Sequence, residues 1–207
     1  MVFRDRIAAT KPLVFVLCLL PFAHLVWDAM HGTLGTDPVA QLEHRSGDWA
    51  LRLLLATLAI TPLRRFTGWH RAVRFRRMLG LFAFFYVSVH LLIYLFVDLG
   101  GYWADIFEQI AKKPYITVGF AAWLLLIPLA LTSTQGAMRR LGRHWQRLHR
   151  LAYLIALLGV LHYYWLVKAD HREPILYLCA WIALMLARLR ARPRADAPRS
   201  NAARLRT

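Results

Sequence analysis

Apolar residues fall in six long blocks, at roughly 10–29, 47–65, 78–98, 114–133, 147–167 and 173–189. A helix rises 1.5 Å per residue, so crossing a hydrocarbon layer of ~30 Å takes about 20 residues. Each block therefore predicts one membrane-spanning helix. Six helices this apolar on every side would need a further protein layer to live in water, and too few residues remain to build one. The first block follows Arg4, Arg6 and Lys11, as a secretion signal would. The run Phe22-Ala23-His24-Leu25-Val26-Trp27 lacks a small-residue cleavage site, so the reading is a retained span. Pro12, Pro114 and Pro174 are placed at first turns, where a missing N–H costs nothing. Pro62 is expected to close the second span, and Pro21 and Pro128 to kink the first and fourth. The fold class predicted is an all-α membrane protein, a six-transmembrane-helix bundle. Residues 1–189 form this domain. Residues 190–207 are an Ala/Arg/Pro-rich basic tail, read as disordered.

Composition strengthens the membrane reading. The chain is 58% hydrophobic and 18% charged, against ~45–50% and ~25% in soluble domains. A net charge of +16 would point to nucleic acid in a soluble protein. Its distribution points elsewhere. Of 27 basic residues, 21 lie at the N-terminus, in the second and fourth loops with Arg150 just after, and in the C-terminal run from Arg188 to Arg206. The other loops hold Arg45, Lys112, Lys113, Lys168 and Arg172, together with nine of the eleven acids, and Arg52 sits inside the second span. The positive-inside rule then puts both termini in the cytoplasm. The charge is a topology signal, with attraction to anionic membrane lipid as a consequence and no nucleic-acid partner. Cys18 and Cys179 both lie in apolar blocks and are too few for a disulfide framework or a thiolate metal site. No CxxCH, GxGxxG or P-loop pattern is present.

Nine histidines carry the chemistry. His31, His44 and His171 fall at the outer ends of spans and His70 and His144 at the inner ends. His24, His90, His149 and His162 fall within spans, where ionisable groups are costly and tend to be functional. His90 lies 13 residues beyond Arg77 and His162 lies 15 beyond Arg147. At 1.5 Å per residue both sit about 20 Å from the inner surface, on helices running the same way. Two neutral imidazoles at one depth can take the two axial positions of a heme iron. They can equally be interhelical hydrogen bonders. His149 lies at the inner boundary, about 20 Å below His162 on the same predicted helix, which suits a second, inner heme. The two are ~140° apart around an ideal helix, so a shared face would need a kink. His24 reads as a hydrogen bonder within the bundle. Tyr86, Tyr94, Tyr102, Trp103, Tyr163, Tyr164 and Trp165 fit an interfacial aromatic belt, or packing on a porphyrin. Arg77, Arg147 and Arg150 fit headgroup contacts, or partners for propionate or flavin phosphate.

Several stretches together resemble a known family. They are His31-Gly32-Thr33-Leu34-Gly35-Thr36-Asp37-Pro38, Arg76-Arg77-Met78-Leu79-Gly80-Leu81 leading to His90 and Tyr94, and Lys113-Pro114-Tyr115. The run Thr132-Ser133-Thr134-Gln135, Leu141-Gly142, Trp145, Leu148-His149, His162-Tyr163 completes the set. They are similar to the MsrQ family, heme-binding membrane subunits of bacterial protein-methionine-sulfoxide reductase systems, within the ferric-reductase-like transmembrane group. The resemblance implies a multi-pass protein of the bacterial inner membrane carrying heme b (one or two) and FMN. It implies electrons taken from the quinone pool or a cytosolic flavin reductase. They would pass to a periplasmic MsrP-like molybdopterin subunit that repairs oxidised methionine. The family's cofactor- and metal-binding histidines carry over onto His90, His149 and His162. No catalytic residue is implied, because such a subunit transfers electrons without remaking substrate bonds. The third span offers one histidine where wider relatives carry two. The fused flavin and nicotinamide domains of those relatives are missing, so the donor is external. The outer loops Asp37–Asp48 and Asp98–Lys113 are the expected docking surface for the partner. The competing readings are a proton or metal transporter, a ferric-reductase-type enzyme with an external flavoprotein donor, and a purely structural anchor.

Overall fold

The computed structural model describes residues 2–190, and the basic tail lies outside them. The described residues are helical with no strand. Two long helices open the chain, α1 (Val2–His31) and α2 (Pro38–Thr67). A 3-10 turn at His70–Ala72 leads into α3 (Val73–Leu92), which widens into a π-type stretch at Ile93–Asp98. Then follow α4 (Trp103–Lys112), α5 (Pro114–Leu131), the short α6 (Gln135–Leu141) and α7 (Arg143–Leu148), α8 (Leu151–Leu166) and α9 (Arg172–Arg190).

Local chemistry sets most of these boundaries. Asp37 caps α2 by accepting from the Ala40 amide at 3.0 Å, with Pro38 in the first turn. Gly68, at φ 70°, closes α2 with its N–H on the Arg64 carbonyl. Pro114 opens α5 as expected. Pro12 and Pro62 depart from expectation: both lie inside helices, because α1 already begins at Val2 and α2 runs on to Thr67. The fifth block also divides. Gly142, at φ 49°, separates α6 from α7, and the chain turns again at His149–Arg150 before α8 starts. His149 and His162 are thus on different elements, and the 140° argument for one continuous helix no longer applies.

This is a membrane protein. Among the described residues, three helices are long and apolar enough to cross a bilayer: Thr10–His31, His70–Asp98 and Pro114–Leu131. The other three blocks fall short for physical reasons. The helix α8 has only 16 residues, α2 carries Asp48 and Arg52 along its apolar stretch, and α9 carries charges at both ends, Arg172, Glu173, Arg188 and Arg190. Much of the apolar surface of α1 faces outward, including Leu13, Phe15, Leu17 and Leu20, as a lipid-facing helix requires.

The helix α2 sits at the centre, packed on α3 and touching α1, α8 and α9, while α5 packs on α8 and α3. The core joins Leu54 and Leu58 of α2, Phe82 and Ala83 of α3, Leu126 of α5 and Ile155 and Ala156 of α8. Ala83 and Ala156 are wholly buried. Small residues at such contacts let backbones approach closely, which drives helix association where no water is expelled. Ionised groups in the bundle find partners. Arg52 donates to Tyr177 at 2.9 Å and to Asp48 at 3.2 Å. Arg188 was counted with the basic tail by charge alone. It instead turns inward, donating to the Leu58 carbonyl at 2.5 Å and to the Tyr153 hydroxyl.

Tyr86 joins α3 to α1 beside Pro21, which lies inside the continuous helix α1. Its buried hydroxyl donates to the Cys18 carbonyl at 2.8 Å and accepts from the Phe22 amide at 2.9 Å. It thus sits between two groups four residues apart, where an inserted side chain characteristically bends a helix. Tyr86→Phe keeps the ring and removes both bonds. The expected loss is about 1–3 kcal/mol, the cost of unpairing a buried backbone group. It would be read as a lower unfolding midpoint in detergent. An unchanged midpoint would show that the two backbone groups re-pair with each other.

A candidate cofactor site between two facing histidines

The helices α2, α3, α5 and α8 enclose a cavity of about 260 Å³. Its walls are apolar in the middle, with Leu51, Leu54, Val87, Leu126 and Ile155. His90 of α3 and His162 of α8 face each other across it, ring centroids 6.2 Å apart and planes at 79°. The depth arithmetic anticipated this meeting.

Each ring is held from behind. His90 Nδ1 lies 2.9 Å from the Glu43 carbonyl, with the Ser46 hydroxyl 3.4 Å away. His162 Nδ1 lies 2.7 Å from the Tyr115 carbonyl. A carbonyl oxygen only accepts, so each Nδ1 carries the proton and each Nε2 keeps a free lone pair. Orientation of a ligand imidazole by a backbone carbonyl is the usual outer support of a metal site. Two glycines make room. A Cβ on Gly119 would lie 2.7 Å from His162 Nδ1, and a Cβ on Gly47 would lie 3.3 Å from His90 Nδ1. The sequence reading missed both, and also Glu43 and Tyr115, which act through main-chain atoms that any residue possesses. The only sequence signal was the presence of glycine inside long apolar helices, where it costs ~1 kcal/mol relative to alanine and so needs a packing reason.

One end of the cavity is polar, lined by Glu43, His44, Asp48, Tyr94, Asp98 and Lys113. Glu43 Oε1 and Tyr94 Oη are buried there without partners. Glu43 precedes the apolar block of α2. Burial, with Asp98 and Asp37 nearby, pushes its carboxyl up to about 7.

The remaining expected residues lie elsewhere. His149 caps α7 and does not line the cavity. Its ring stacks on Trp145 with centroids 3.9 Å apart, and its Nδ1 donates to the Trp145 carbonyl at 3.1 Å. Its Nε2 is buried without a partner. His24 is exposed and bonds Arg45 at 2.6 Å, in a cluster with Asp28. Of the aromatics, Tyr94 and Tyr163 line the cavity, and Tyr86 packs between α1 and α3. Tyr102, Trp103, Tyr164 and Trp165 are exposed. Arg77, Arg147 and Arg150 are exposed and off the cavity. Among the described residues, no three His, Cys, Asp or Glu side chains converge as a bare metal ion would need.

Comparison with known proteins identifies the family. Residues 46–160 match the family described as ferric reductase like transmembrane component. A protein of Xanthomonas axonopodis pv. citri is 63% identical over 177 residues, covering 83% of this chain and 81% of its own length. One from Xanthomonas euvesicatoria pv. vesicatoria is 58% identical over 204 residues, 96% of this chain and 93% of its own. One from Caulobacter vibrioides is 53% identical over 178 residues, 86% of this chain and 85% of its own. All three carry the name protein-methionine-sulfoxide reductase heme-binding subunit MsrQ. No solved structure matches the chain. With relatives this similar over most of its length, the chain belongs to the MsrQ family of ferric-reductase-like transmembrane proteins.

Proposed function

We propose that this chain is the heme b-carrying membrane subunit of a methionine-sulfoxide reductase, and that His90 and His162 would together hold the iron of one heme. The carrying observation is the facing pair of imidazoles with both Nδ1 protons tied to carbonyls. Two imidazoles that bound one metal through nitrogen, at the ~2.0–2.1 Å known for zinc-bound histidine, would have ring centroids roughly 6 Å apart. The observed 6.2 Å fits that spacing. Two protein donors on a mainly apolar cavity also fit a metal that brings its own equatorial ligands, as a porphyrin does. When bound, heme supplies a one-electron iron couple, tuned by axial ligands and burial. The chain's own residues do the rest. The Glu43 and Tyr115 carbonyls hold the tautomers. Gly47 and Gly119 let the rings stand upright, and the leucines of α2 and α5 exclude water.

The finer features follow the family. Six spans cross the bacterial inner membrane with both termini cytoplasmic, supported by the arginine-rich inner loops. Residues 1–189 form the membrane domain. Electrons come from the quinone pool or a cytosolic flavin reductase, with FMN at the inner face. They go to a periplasmic MsrP-like subunit, supported by the reductase that the relatives' names include. A second reading concerns His149. Its buried, unpartnered Nε2 supports a second, inner heme position separate from the cavity.

The test is the dithionite-reduced minus oxidised spectrum of purified protein with a pyridine hemochrome count. Low-spin b-type bands are expected. Well-folded protein without heme would return the transporter or anchor reading. His149→Ala is expected to lower the count by one heme while leaving the His90–His162 bands in place. An unchanged count would make His149 a structural group packed on Trp145.

A further inference from the structure

The helix α4 is short, and its apolar residues Trp103, Ile106, Phe107 and Ile110 recur at the spacing of one helix face. Only part of that face is covered by protein. Ile106 is buried, and Thr117 of α5 donates to the Ile110 carbonyl at 2.5 Å, which seats the helix on α5. Ile110 and the following Lys113 line the polar end of the cavity. The other edge stands free: Tyr102, Trp103 and Phe107 are 70%, 66% and 69% exposed. Asp105, Glu108 and Lys112 are exposed as well, with Lys112 paired to Glu108 at 2.5 Å.

We propose that the Tyr102–Trp103–Phe107 edge is embedded in lipid at the membrane surface, so that α4 is an in-plane helix held by lipid across the mouth of the cavity. The argument is continuity with a surface that already faces lipid. The span His70–Asp98 ends beside α4, and its Phe96 and Val97 are exposed. A Cβ on Gly101 would lie 3.4 Å from the Phe96 ring, so the aromatic edge continues the apolar surface of that span. Tyr102 and Trp103, each with an apolar body and a polar tip, suit this depth, Phe107 adds apolar area beside them, and a charged opposite face is the mark of a helix lying on a membrane. The expected docking loop Asp98–Lys113 is thereby divided: its aromatic edge goes to lipid, and its charged edge remains open to water.

The experiment uses the full chain in nanodiscs of phosphatidylethanolamine and phosphatidylglycerol. Cys18 and Cys179 are replaced by alanine, and a nitroxide is placed in turn on Trp103→Cys, Phe107→Cys, Asp105→Cys and Glu108→Cys. Labels at 103 and 107 are expected to collide with oxygen more than with a nickel chelate, and labels at 105 and 108 to show the reverse. Nickel access at 103 and 107 overturns the proposal. So does shielding from both reagents, the sign that a protein partner or second copy covers the edge. A gentler measurement stands beside it for labelled chains that do not fold. Trp103→Phe is expected to remove a share of the tryptophan fluorescence quenched by brominated lipid, and an unchanged quenchable share overturns the proposal.

Discussion

His162→Ala and His90→Ala are each expected to abolish the low-spin b-type spectrum while leaving the helices folded. Each substitution removes one of two imidazoles that line the same cavity with ring centroids 6.2 Å apart. Loss of an outer-shell support alone weakens metal binding by roughly 10- to 100-fold, and loss of the ligand itself is expected to exceed that range. The double variant should be no worse than either single one, because both rings serve one site. Added imidazole is expected to restore part of the low-spin bands in either single variant, since each truncation leaves space of the right shape. That rescue separates ligation from a packing role, which free imidazole would not repair. Retention of the full spectrum in both single variants would sink the assignment. The rings would then be interhelical hydrogen bonders, paired to carbonyls as any buried imidazole must be.

Gly119→Ala is expected to weaken heme binding markedly, though less than loss of His162 itself, even though alanine is a better helix former than glycine. Its methyl group would stand 2.7 Å from His162 Nδ1, nearer than real carbon atoms pack. The ring must swing away, and the 2.7 Å bond to the Tyr115 carbonyl goes with it. Gly47→Ala makes an instructive partner. Its methyl would lie 3.3 Å from His90 Nδ1, a contact that a shift of a few tenths of an ångström relieves. The expected order is therefore a loss of roughly 10- to 100-fold for Gly119→Ala, the range for a damaged outer support, and a distinctly smaller loss for Gly47→Ala. Heme titration of the purified apo-proteins reads both. Equal losses would show that helix spacing, and not the ring contact, governs the site.

Both predictions rest on features with different legibility. The apolar blocks, the arginine asymmetry and the depth of His90 and His162 are local or additive properties, because hydropathy and residue rise belong to each segment alone. They were enough to call for a helical membrane bundle and to pair two histidines from distant parts of the chain. The start of α5 at Pro114 was also legible, since first-turn chemistry acts within a few residues. Other features depend on what stands opposite. Arg188 reads as tail until the Leu58 carbonyl and Tyr153 are found to receive it. Pro12 and Pro62 read as helix ends until packing carries both helices past them. The turn at His149–Arg150 took His149 off the helix of His162, and no periodicity marks it. Gly47 and Gly119 show only as missing side chains, and what an absent Cβ makes room for is known once the neighbouring helix is in place. Composition and periodicity determined that this chain is a helical membrane protein with histidines at matching depth. Contact between helices decided which nitrogen of each ring is free, because the carbonyls that hold the other nitrogen lie 47 residues away in sequence.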